Sequence, residues 1–283
     1  MHTPMASSDI VTTKLVFLLP PSDGSRPYQS INTDEKAGVR DRNIVPMEQT
    51  VKIENVRGKE HLYKLDEAGF QLYNRPTKFT DFRDDEKVMK EYYPESIEII
   101  KELTGASRVV LFDHTRRLRR PGQVSDTPDS RQPVPQAHVD QTKKSSIDRV
   151  HRHLPPEDVP ELLRHRFQII NLWRPIGNPA LEYPLAFCDF RSVDPENDTF
   201  PVALVYPDRE GETMSVKPSD KHEWKYLRGM TPDEIALIKC FDSVEDGSVS
   251  RFTPHTSFED PTTPKGAPHR ESIELRALVF YDD

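Results

Sequence analysis

The chain reads as short apolar runs, several of them alternating with polar positions, separated by stretches rich in Pro, Ser, Asp and Asn. Residues 1–12 are polar and expected to fray, and 15–19 predict a first strand. Residues 20–37 predict a loop. The alternation over 51–56 predicts an edge or half-buried strand, 62–70 a short turn-bounded stretch, and 70–73 another strand. Between 84 and 103, Val88, Met89, Tyr92, Ile97, Ile100 and Leu103 recur at helical spacing, with a break or kink expected at Pro94 and a stop at Gly105. A strand over 108–114 follows, and residues 114–135, charged and without apolar period, predict a long loop near the site.

The second half continues in the same way. Residues 145–166 predict helix interrupted at Pro155-Pro156, and 167–173 a strand ended by Arg174-Pro175. Further strands are predicted over 185–190, 202–206, 221–227, 237–242 and 273–280, with a turn over 244–249. Thr231-Pro232-Asp233-Glu234 carries a helix-start signature, with Thr as N-cap and Pro at the first position. There is no internal repeat. Many strands and few helices predict a mainly β chain, one jelly-roll domain spanning 1–283 with helices on its outside.

Composition narrows the function. Thirteen Phe, nine Tyr and two Trp supply a core although only 35% of residues are hydrophobic. The net charge of −8 argues against nucleic acid as a partner, because phosphate binding needs a basic surface. Arg116-Arg117-Leu118-Arg119-Arg120 is the exception, read as a solvated loop or as a basic wall of a site mouth. Cys188 and Cys240 lie in apolar segments and fit buried thiols in a reducing, cytoplasmic compartment. No apolar run is long enough to span a membrane.

The candidate chemistry centres on His138-Val139-Asp140. In an extended segment residues i and i+2 share a face, so an imidazole and a carboxylate can hold one ion. They are two thirds of a facial triad for non-haem Fe(II) with open coordination positions. A third ligand must come from far along the chain, and His255 in Phe252-Thr253-Pro254-His255-Thr256 supplies one, 115 residues on (255 − 140). Arg270-Glu271-Ser272 then opens the last apolar run. His114 has no carboxylate two residues later and reads as a core or surface histidine. His151, His153 and His165 read as solvated.

His138-x-Asp140, then His255, then Arg270-x-Ser272 resembles the Fe(II)/2-oxoglutarate-dependent dioxygenases. Asn171-Leu-Trp-Arg-Pro-Ile, Leu185-Ala-Phe-Cys-Asp-Phe-Arg-Ser, Ile238-Lys-Cys-Phe-Asp-Ser and Ser272-Ile-Glu-Leu-Arg-Ala-Leu-Val-Phe narrow the likeness. They are similar to the mostly fungal hydroxylase/desaturase family, which includes a cephamycin-methoxylation subunit and meroterpenoid-tailoring oxygenases, one of them endoperoxide-forming. The resemblance covers residues 37–283. It implies a double-stranded β-helix, iron on His138, Asp140 and His255, and 2-oxoglutarate on Arg270 and Ser272. It also implies C–H abstraction with O2, leading to hydroxylation, desaturation or endoperoxide formation on a small hydrophobic secondary metabolite such as a terpenoid or meroterpenoid.

Arg276, on the same strand face as Arg270, is a competing anion clamp. Asn171, Trp173 and Arg174 are candidates for supporting the ligands or contacting substrate, with core packing equally weighed for Trp173. Two rival readings stay open: a non-catalytic jelly-roll partner subunit, and a metal-dependent cupin-type enzyme without 2-oxoglutarate. The oligomeric state, a homo-oligomer included, is also open.

Overall fold

A computed structural model of the protein describes residues 9–31, 41–123 and 131–282. Among these, the strands are β1 (Ile10–Leu19), β2 (Tyr28–Ser30), β3 (Val45–Asn55), β4 (Phe70–Asn74), β5 (Arg108–Leu118), β6 (His138–Val139) and β7 (Phe167–Pro175). They continue with β8 (Leu185–Cys188), β9 (Thr199–Val205), β10 (Glu210–Val216), β11 (Trp224–Tyr226), β12 (Glu234–Asp242), β13 (His255–Ser257) and β14 (Glu271–Phe280). One sheet runs β1-β3-β11-β8-β13-β6-β10-β9-β2 and the other β4-β12-β7-β14-β5. This is the mainly β, jelly-roll architecture expected.

Alternation assigns the two faces of the smaller sheet. On β14, Ile273, Leu275, Ala277 and Val279 pack outward with Ile170 and Leu172 of β7 and with Ile100 of the Tyr93–Thr104 helix. Glu274, Arg276 and Leu278 point the other way, toward the core that joins the sheets through Ile169, Trp173, Phe187 and Ile238. Because helix covers one face and the second sheet the other, β7 is buried at every position, as a strand covered on both sides must be. No described helix is long and apolar enough to cross a membrane.

Several sequence expectations are corrected. The first strand begins at Ile10, where pairing with β3 holds a polar segment that its own composition would leave frayed. The strand expected to end at His114 runs on to Leu118, paired with β14 throughout, so the start of the expected 114–135 loop is strand. Its arginines sit on the edge of the sheet, where charge discourages pairing with other chains; residues 124–130 of that loop lie outside the described residues. Pro94 opens the Tyr93–Thr104 helix rather than breaking one, and the preceding turn, Val88–Tyr92, is π-helical. The segment after Thr231 is strand, not helix. Glu234 accepts from Thr231 N at 2.8 Å and closes the cap pattern on a single turn, and β12 then pairs with β4 and β7. The hairpin arm β10 was not expected, since it carries little apolar alternation; it is closed by Tyr206 N donating to Arg209 O at 2.9 Å.

Candidate active site

β6 and β13 are neighbours, and their register sets His138 directly opposite His255. The ring centroids are 4.6 Å apart. Asp140 follows at the end of β6, with Oδ1 3.2 Å from His138 Nε2 and 3.8 Å from His255 Nε2. One ligand-type atom from each residue lies within 4.8 Å of the others.

Each imidazole is held through its other nitrogen. His138 Nδ1 donates to Gln136 O at 2.8 Å, and His255 Nδ1 to Thr253 O at 3.2 Å. A carbonyl can only accept, so the proton sits on Nδ1 and both Nε2 lone pairs are free to bind a metal. Burial and the neighbouring His138 push the His255 imidazole below its usual range, which favours the neutral form. Burial alone would raise the Asp140 carboxyl. The charge of Arg276 instead holds it well below the usual carboxylate range. Two imidazoles and one carboxylate converging from one side are a donor set that suits Fe(II) with positions left open.

Behind Asp140 stands a polar frame. Its Oδ2 accepts from Asn171 Nδ2 at 2.8 Å and from Arg276 Nε at 2.9 Å. Asn171 also donates to Glu274 Oε1 at 3.0 Å. Arg276 reaches Asp113, Thr115 and Glu274, each at 3.1 Å. With three carboxylates around it and four of its five N–H groups already bonded, Arg276 is a poor match for an outside anion compared with Arg270. Arg174 faces the other way: β7 alternation sends it outward, where it donates to Tyr92 Oη at 2.7 Å and Pro232 O at 2.6 Å. It braces the Val88–Tyr92 turn and is not part of the site.

Arg270 has the opposite character to Arg276. It is buried and forms no ion pair with any described residue, and its Nε has no partner. Nη1 donates to Tyr183 O at 2.6 Å, and the guanidinium lies 5.6 Å over the Trp173 ring. Tyr183 has a left-handed backbone, φ +48°, a costly conformation for a non-glycine residue that tends to persist at functional positions. Burial, with the like charge of Arg117, pulls the Arg270 guanidinium down to about 9, the mark of a site short of negative charge. His138, His255, Arg270, Arg117, Trp173 and Glu274 line one pocket. Ser272 is buried with the same parity on β14, but its neighbours rather than Ser272 form the pocket wall.

Sequence reasoning thus brought together His138, Asp140, His255, Arg270, Asn171 and Trp173. It missed Glu274, Asp113 and Tyr183, whereas Arg117 belongs to the basic run weighed as a solvated loop or a wall of the site mouth, and it lines the pocket. Glu274 was detectable, because Arg270, Ser272, Glu274 and Arg276 place polar groups at every second position of a strand whose other positions are apolar. His114 lies elsewhere, bonded to Tyr93 Oη at 2.9 Å.

Comparison with known proteins agrees with this geometry. Residues 15–280 match the family described as oxidoreductase/YMDC permease-like domain. The hydroxylase/desaturase CTB9 of Cercospora beticola is 36% identical over 83% of this chain and 77% of its own length. The Fe(II)/2-oxoglutarate-dependent dioxygenase nvfI of Aspergillus novofumigatus is 30% identical over 94% of this chain and 95% of its own. A solved structure of the iron and α-ketoglutarate-dependent endoperoxidase NvfI superposes with a TM-score of 0.86 and 28% identity, covering 98% of this chain and 100% of that one. The chain belongs to the hydroxylase/desaturase family of Fe(II)/2-oxoglutarate-dependent dioxygenases. It is an oxygenase that uses Fe(II), 2-oxoglutarate and O2.

Proposed function

We propose that His138, Asp140 and His255 are the iron ligands of this oxygenase and that Arg270, with Ser272 beside it, receives the far carboxylate of 2-oxoglutarate. The substrate is a hydrophobic terpenoid or meroterpenoid. One observation carries the reading: two free Nε2 donors share a pocket with a buried guanidinium that has no anion of its own.

With iron, 2-oxoglutarate and dioxygen bound, the centre supplies oxidative decarboxylation to succinate and CO2 and the means to break a C–H bond. The protein supplies position. Asn171 and Arg276 occupy Asp140 Oδ2 and leave Oδ1 toward the histidines. Tyr183 O takes one N–H of Arg270, and the remaining donors suit a carboxylate held by two parallel hydrogen bonds. Trp173 walls the pocket and restricts water. Hydroxylation, desaturation or endoperoxide formation then depends on which C–H bond faces the metal. Free, buried Cys188 and Cys240 support a reducing, cytoplasmic setting.

Calorimetric titration of Arg270→Ala with 2-oxoglutarate, with Co(II) in place of Fe(II), tests the assignment. Loss of a charge-assisted bidentate pair weakens binding by about tenfold to a hundredfold while Co(II) affinity stays close to wild type. Unchanged 2-oxoglutarate affinity would mean that Arg270 is structural and would favour the cupin-type reading.

A further inference from the structure

A second cleft borders the centre. It shares Asp140 with the metal ligands and none of the residues that line the Arg270 pocket. One wall is the Lys143–His153 helix, with Asp148, Arg149 and Arg152, and the other is the β9–β10 hairpin, with Leu204, Tyr206 and Arg209.

The charges in this cleft do not cancel. Asp148 is paired with Lys144 at 2.8 Å, and Glu210 with Arg26 at 2.6 Å. Glu212 accepts from Thr142 Oγ1 at 2.5 Å and lies 3.9 Å from Arg26. Asp140 is held by Arg276. Arg209 stays near its neighbour Asp208, at 3.4 Å, and lies over the Tyr206 ring. Every carboxylate that lines the cleft therefore has a partner. The side chains of Arg149 and Arg152 form no ion pair and no hydrogen bond with any described residue. Arg149 is half-buried and rests 5.1 Å over the Phe112 ring, which fixes where its guanidinium lies. Burial, only partly offset by Asp113, pushes its pKa down, so an anion brought to it would relieve a standing cost.

We propose that this cleft seats the oxygenase substrate and that Arg149, with Arg152 at the rim, binds a carboxylate carried by that substrate. The inference rests on the iron assignment to His138, Asp140 and His255, which makes Asp140 the shared wall between metal and substrate. Leu204 and the edge of Tyr206 are the apolar contacts for the hydrocarbon part of the molecule in a lining that is otherwise polar, and the two arginines select for charge. The substrate is thus a hydrophobic acid, held by the acid while a C–H bond further along its skeleton reaches the metal.

Dehydroabietate and its methyl ester, a rigid C20 pair differing in charge, serve as probes in anaerobic calorimetry on the full chain, with and without Fe(II) and 2-oxoglutarate. The expected result is that the acid binds wild type about tenfold or more tighter than the ester. Arg149→Gln brings that ratio close to one, and Arg149→Lys keeps part of it. Equal affinity for acid and ester, binding of neither, or an undiminished ratio in folded Arg149→Gln would overturn the proposal. The visible band of the Fe(II)–2-oxoglutarate chelate, followed separately in wild type without either probe, reports on the iron assignment, so the two failures are distinguishable.

Discussion

Asp140 and Arg276 are 136 residues apart in the chain and 2.9 Å apart at Oδ2 and Nε. This contact decides which carboxylate oxygen is left for the metal. Arg276 is a positioning residue, and Arg276→Leu leaves Asp140 free to rotate and its charge uncompensated. Loss of such a partner behind a ligand typically costs 10–100-fold in metal affinity. Anaerobic titration with Co(II), whose visible spectrum reports ligand geometry, should record both the weaker binding and an altered spectrum. Wild-type affinity and spectrum in the variant would contradict the assigned role.

Gly69 supports the site from outside it. A Cβ there would lie 2.6 Å from Phe252 O and 2.9 Å from Thr253 Cβ, and its φ is +83°. Thr253 O is the acceptor that orients His255, so a clash at Gly69 is transmitted to a proposed ligand. Gly69→Ala should lose about 1–3 kcal/mol of stability from backbone strain and bind Co(II) more weakly. Chemical denaturation and metal titration of the same sample measure both.

A buried ionic cluster joins β12 to the Leu65–Ala68 turn of helix. Lys239 Nζ donates to Asp66 Oδ1 at 2.5 Å, Asp242 Oδ2 at 2.8 Å and Ser250 O at 2.8 Å. Lys239→Met removes one partner and leaves Asp242 buried with less compensation, an event that costs about 3–5 kcal/mol. Urea unfolding should show a midpoint shift of that size without a change of slope. A loss below about 1 kcal/mol would mean that the cluster is no better than neutral.

Stability should fall on mild acidification. Burial pushes the His222 imidazole below its ordinary value, only partly opposed by Asp198. His153 is lowered by burial and by Arg149 and Arg152. As pH drops through about 6.5 the unfolded chain takes up these protons before the folded one, so the folded state loses ground from there down to the depressed folded values. The melting temperature should decline between about pH 7.5 and about pH 5.5, and His222→Gln should flatten part of that slope. An identical slope in the variant would remove His222 from the account.

The proposed ligand set was legible as a cluster because most of its information is local or ordered. His138 and Asp140 share a face by spacing, and His255 and Arg270 follow in a fixed order that the sheets bring together. The supports were less legible because they depend on packing across the chain. Nothing near Gly69 in sequence announces Phe252, and the tautomers of His138 and His255 follow from carbonyls that only the folded strands present. Arg174 and Arg276 show the limit of motif reading. Arg174 was a candidate for supporting the ligands or contacting substrate and Arg276 for binding an anion, yet strand parity sends the first outward to Tyr92, and three carboxylates surround the second. At Thr231 the local signal was real but satisfied in one turn, and pairing with β4 and β7 overrode helix propensity in the run that follows.

The most direct test of the central claim is anaerobic titration of the purified protein with Fe(II) and then 2-oxoglutarate, followed by visible absorption. The account predicts a weak charge-transfer band in wild type that is absent from His138→Ala and His255→Ala. It also predicts a band that needs far more 2-oxoglutarate to appear in Arg270→Ala. Iron binding without the band would contradict 2-oxoglutarate chelation at this centre, and failure to bind Fe(II) would contradict the ligand assignment itself.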